Sequence, residues 1–102
     1  MTKAELIARI EDLAAQYLGS RMGIAGLTSH RKADLAAIVA RFERMVALHQ
    51  QAEELRSHYT AEQRLVYELS GAQPADLQEA GRLNRAAQDI WLHPLAANLQ
   101  EA

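Results

Sequence analysis

From His30 to Ser70 the chain contains neither glycine nor proline. A run of that length, rich in alanine, leucine, glutamate, glutamine and arginine, commits the middle of the molecule to helix. The question it raises is whether this is one rod or two helices. Within Ser57 to Pro74, SHYTAEQRLVYELSGAQP, Thr60 is followed three residues later by Gln63. That is a capping box, in which a hydroxyl and a side-chain carbonyl each satisfy a backbone N–H left free at a helix start. Ser57, His58, Tyr59 and Thr60 are also weak helix formers placed in succession. The spacing therefore predicts a break at Ser57 to Thr60 and a third helix running to Ser70, where Gly71 can take the left-handed conformation that ends helices.

The second helix, read from Ser29 to Tyr59, would be about 45 Å long at 1.5 Å per residue. Its apolar residues form two sets. Leu35, Ile38, Val39, Phe42, Met45 and Val46 make one stripe, and Leu48, Ala52, Leu55 and Tyr59 make another about a quarter-turn away. A compact chain of this size has a diameter of roughly 33 Å, so a single straight helix would overhang its own domain. On that reading the overhanging end pairs with a second copy, and Phe42, Met45, Leu48, Ala52, Leu55 and Tyr59 form the seam. Trp91, the single tryptophan, joins them as an interface anchor, with core packing as its alternative.

The flanking elements follow from local signals. Thr2 with Glu5 is a second capping box, and Leu6, Ile10, Leu13 and Tyr17 line one face of a first helix. That helix is expected to stop between Gly19 and Gly23, and GSRMGIAGLTS reads as the one long connection. Pro74 opens a fourth helix whose Leu77, Ala80, Leu83, Ala87, Ile90 and Trp91 share a face. Pro94 disfavours α geometry at His93, which leaves Leu95 to Leu99 as a short terminal helix. The expectation is an all-α fold: a helical bundle of four main helices plus a short C-terminal helix, with a long second helix and a broadly up-and-down order.

At 102 residues and 49% apolar content, one domain spanning 1–102 with one modest core is expected. A formal charge of -2, with both signs interspersed, gives none of the basic patches that neutralise phosphates, so nucleic acid is not expected as a partner. The absence of cysteine excludes disulfides and thiolate sites. Charges recur through the N-terminal MTKAELIARIEDLAAQ where a signal peptide needs an apolar run, and no stretch reaches membrane-span length. A cytoplasmic protein with no membrane contact is the expectation.

Four histidines invite a metal reading, because His49 and Glu53, Glu54 and His58, and His58 and Glu62 are each spaced by one helical turn. Their neighbours Gln50, Gln51 and Arg56 make the same face an ordinary solvated one, and no cofactor is expected. No phosphate-binding glycine loop, nucleophile elbow or paired-carboxylate pattern is present in the sequence. The expected role is therefore non-enzymatic: a helical protein–protein interaction or adaptor module that self-associates as a homodimer. A small-molecule-binding helical regulator is a further alternative.

Two short motifs offer other chemistry. Arg44-Met-Val-Ala-Leu-His49 resembles the arginine and histidine motif of HEPN-fold ribonucleases, which are helical bundles that build a shared site by dimerising. The resemblance implies a general acid or base at His49 and an electrostatic role for Arg44. Thr28-Ser29-His30-Arg31 resembles the start of the phosphoacceptor helix of histidine kinases, with Arg31, Lys32 and Asp34 standing where that family has an acidic, proline-containing remainder.

Overall fold

A computed structural model describes residues 1–95, and among these it places four α-helices, one 3-10 turn at Leu27–Ser29 and no strand. The helices are α1 (Lys3–Leu18), α2 (Lys32–Arg56), α3 (Ala61–Ser70) and α4 (Ala75–Leu92). The terminal helix expected from Leu95 to Leu99 lies, beyond Leu95, outside the described residues.

Both capping boxes form. The Thr2 hydroxyl accepts from the Glu5 N–H at 3.2 Å while the Glu5 carboxylate accepts from the Thr2 N–H at 2.9 Å. The Thr60 hydroxyl accepts from the Gln63 N–H at 3.1 Å and Gln63 Oε1 accepts from the Thr60 N–H at 2.8 Å. The long run thus breaks at Ser57 to Thr60, as the sequence predicts. Gly19 and Gly71 end α1 and α3 at φ of 81° and 72°, a region that a Cβ penalises. The start of α2 differs from expectation. Ser29 does not cap it, because its hydroxyl donates to the Gly26 carbonyl at 2.6 Å and closes the 3-10 turn. The helix begins three residues later behind Arg31, which makes no side-chain cap bond.

Direction is the second difference. The Tyr17 ring at the end of α1 meets the His49 ring of α2 edge-on, at a centroid distance of 5.3 Å. At the other end, Lys3 Nζ donates to the Thr28 carbonyl at 2.6 Å, just ahead of α2. The first two helices therefore run parallel, and the up-and-down order expected from the sequence does not hold for this pair. The connection 19–31 makes this geometry accessible: it can extend to about 40 Å, against about 24 Å for the length of α1. Helix α4 runs antiparallel to α2. Its start is tied to the end of α2 by the Tyr59 hydroxyl donating to Asp76 Oδ1 at 2.7 Å, and its end by Arg41 Nη1 donating to the Pro94 carbonyl at 2.5 Å.

The packing of helix on helix is carried by α2 against α1 and α2 against α4. Buried residues of α2, including Leu35, Val39, Val46, Leu48 and Ala52, occupy about half of its circumference. This is why its apolar residues fall into two sets: one helix serves two neighbours in the same chain. At 25 residues α2 is about 37 Å long, within the molecule's 48 Å longest axis. The radius of gyration, 15.8 Å, exceeds the roughly 13 Å of a compact chain, so the domain elongates around the helix and no overhang remains.

Gly81 lies inside α4, where a Cβ would meet only Arg85 Nη1 at 3.5 Å, an ordinary contact. Glycine in a helix interior gives up more backbone entropy on folding than alanine. Gly81→Ala is expected to raise unfolding stability by about 0.5–1 kcal/mol, read as a higher urea midpoint at unchanged slope.

Candidate functional site

Helix α3 departs from the rest of the fold. It is amphipathic, yet none of its residues is buried, and its apolar stripe points to solvent: Leu65, Val66 and Leu69 are 55%, 63% and 78% exposed. At 100° per residue these three fall within an arc of about 100°. The opposite face, carrying Arg64 and Tyr67, is the one that meets the body. Arg64 Nη1 donates to the carbonyls of Arg56 at 3.0 Å and Tyr59 at 2.8 Å, which belong to the end of α2 and the turn after it. The Tyr67 ring stands edge-on to Tyr59 at 5.7 Å. The helix is thus held by its polar side and presents its apolar side outward. Glu62 and Glu68 border the stripe and are exposed, whereas the one cation of the helix, Arg64, is turned toward backbone carbonyls.

The turn that aims α3 is fastened to α4. Asp76 accepts from the Tyr59 hydroxyl, has His58 Nδ1 3.4 Å from its other oxygen, and also accepts from the Leu77 N–H at 3.0 Å. The Tyr59 hydrogen bond leads in holding the Asp76 carboxyl below the usual carboxylate range, and the same bond lifts the Tyr59 phenol above its own.

The residues proposed from sequence as a seam lie elsewhere. Phe42, Met45, Leu48 and Ala52 are buried in the core of the single chain. Leu55 packs against that core partly buried, and Tyr59 serves the turn just described. From Phe42 to Ala52 these residues pack inside the folded chain, and only Leu55 and Tyr59 keep part of their surface exposed. Trp91 is half-buried, with ring centroids 5.9 Å from Tyr17 and 5.7 Å from Phe42. Leu65, Val66 and Leu69 were absent from that seam. The signal for them was the phase of α3, whose apolar residues do not continue the face of the preceding helix.

Arg44 and His49 leave α2 about 140° apart, five residues at 100° each. His49 turns inward, edge-on to Tyr17 with Nδ1 3.4 Å from Asn84 Oδ1, while Arg44 is exposed. His30 closes the 3-10 turn and is half-buried, not placed on a helix. Among the described residues, no three histidines, aspartates or glutamates gather as metal ligands, and no helix is long and apolar enough to cross a membrane. Compared with protein-family models, curated proteins and solved structures, the chain matches none.

Proposed function

We propose that this chain is a non-catalytic helical interaction module that docks another protein through the outward face of α3. The observation that carries this reading is the inverted placement of α3: a helix whose apolar residues would normally be its means of attachment is attached by its polar side. Exposed apolar surface bordered by polar groups is the usual mark of a docking face.

The partner that suits this face is an amphipathic helix with basic flanks. Glu62 and Glu68 supply negative charge beside Leu65, Val66 and Leu69, and lysine or arginine on the partner complements them. A second copy suits it less well. In a two-fold pairing the same acidic residues from both copies border one seam, so like charges face each other there. The homodimer expected from the sequence therefore loses its supporting argument, and the adaptor role rests on α3.

The test uses a synthetic amphipathic peptide with leucines at helical spacing and lysine flanks, beside the same peptide with glutamate flanks. Amide shifts of the labelled protein are followed by NMR. The lysine peptide is expected to shift residues 61–70 in a saturable way, to lose at least tenfold in affinity against Leu69→Asp, and to bind at least tenfold tighter than the glutamate peptide. Shifts centred outside α3, equal binding of the two peptides, or a wild-type dimer that Leu69→Asp dissociates would each overturn the proposal.

A further inference from the structure

A separate feature lies at the other end of the molecule, away from α3. The middle of α1, the first half of α2, the end of α4 and the long connection enclose a cleft of about 660 Å³. Ile10, Ile38 and Phe42 form its floor, all buried, while Ile24 and Trp91 stand at its sides. That volume falls in the range of sites for small molecules, which are mostly apolar with a few placed polar groups.

The polar groups here have one character. The titratable residues lining the cleft are His30 and His93, and among the described residues that line it none is acidic. This contrasts with the chain as a whole, where 13 acidic side chains outnumber 11 lysines and arginines. An imidazole offers one N–H donor when neutral and two when charged, so the mouth of the cleft favours an acceptor or an anion. The segment bearing His93 is held in place, since Arg41 Nη1 donates to the next residue's carbonyl, Pro94 O, at 2.5 Å.

We propose that the cleft binds an apolar monocarboxylate, with its chain against Ile10, Ile38, Phe42 and Trp91 and its carboxylate at His30 and His93. The complementarity has two parts: a floor of apolar side chains, and a rim that carries two imidazoles and, among the described lining residues, no acidic side chain. This site is independent of α3, and neither reading requires the other.

The experiment exploits a property of the sequence: Trp91 is the only tryptophan, so its emission reports the cleft directly. Decanoate is titrated into the protein, with 1-decanol as the uncharged counterpart, and Trp91 emission and melting temperature are recorded. Decanoate is expected to shift the emission saturably and to raise the melting temperature, while decanol binds at least tenfold more weakly. His30→Leu with His93→Leu is expected to erase the preference for the carboxylate, and Ile24→Asp to weaken decanoate at least tenfold with the helical circular dichroism retained. Absence of a saturable Trp91 response, equal affinity for the two compounds, or a preference that survives loss of both histidines would overturn the proposal.

Discussion

Met45→Asp is expected to unfold the chain, not to dissociate an assembly of folded chains. Met45 is fully buried on α2, between the surfaces that α1 and α4 cover. Removing its side chain costs about 2–5 kcal/mol through lost transfer free energy and the cavity left behind. Placing a carboxyl group there adds several kcal/mol, because it must either stay charged without a partner or be neutralised against its intrinsic pKa. No buried polar side chain is found among the described residues, so the core holds nothing to accept it. The sum reaches the whole stability of a domain of this size, about 5–15 kcal/mol. Circular dichroism should show loss of helix at 25 °C, while Met45→Ala, carrying the packing loss alone, should remain folded with a lower urea midpoint. A cooperative, fully helical Met45→Asp monomer with a near-wild-type midpoint would return position 45 to the surface. The contrasting substitution is Leu69→Asp, an apolar-to-charged change at a 78% exposed site. It should move stability by no more than about 0.5 kcal/mol.

The contrast between positions 45 and 69 shows what the sequence carried and what it withheld. Periodicity identifies which residues share a face, and Leu35 to Val46 do so as read. It does not say which neighbour covers that face. The two sets of apolar residues on α2 fit a helix that changes partner and leaves its own domain, and they fit equally a helix gripped on two sides by α1 and α4. Only the parallel course of α1, reached through the connection 19–31, decides between these. Nothing in the composition of that connection specifies the direction in which it returns. Local hydrogen-bond chemistry was legible at most helix ends, the start of α2 excepted, where the Ser29 hydroxyl turns back to the Gly26 carbonyl. Thr2 with Glu5, Thr60 with Gln63, Gly19 and Gly71 all act within a few residues of themselves, so their partners are fixed by sequence distance. The orientation of α3 was not legible, because it depends on Arg64 reaching carbonyls at the end of α2 and on Tyr59 reaching Asp76 in the next helix.

That same dependence on a few polar contacts sets the largest expected change in order. Replacing Thr60 and Arg64 together with alanine should melt α3 while α1, α2 and α4 keep their cooperative transition. A helix of 10 residues is marginal on its own, since isolated helices below about 12–15 residues rarely persist in water. Most short helices in proteins are rescued by burying an apolar face, and α3 buries none. Its order rests instead on the capping box, worth about 0.5–2 kcal/mol, and on the two bonds from Arg64, about 1 kcal/mol each net of solvent. Loss of about 3 kcal/mol from an element with so little else holding it exceeds what the Tyr59 to Tyr67 ring contact can supply. Hydrogen exchange should then show amides of residues 61–70 losing nearly all protection in the variant, with those of α2 and α4 unchanged. Retained protection in α3, or a matching fall in the core helices, would mean that α3 folds as part of the core after all. The consequence for binding follows by linkage. A partner that docks on Leu65, Val66 and Leu69 must restore the helix before it can use that face, so the variant should bind the lysine-flanked peptide more weakly by the free energy of ordering α3. The face would be intact in composition and lost in conformation, and polar contacts on the hidden side of the helix would have set the affinity of the exposed one.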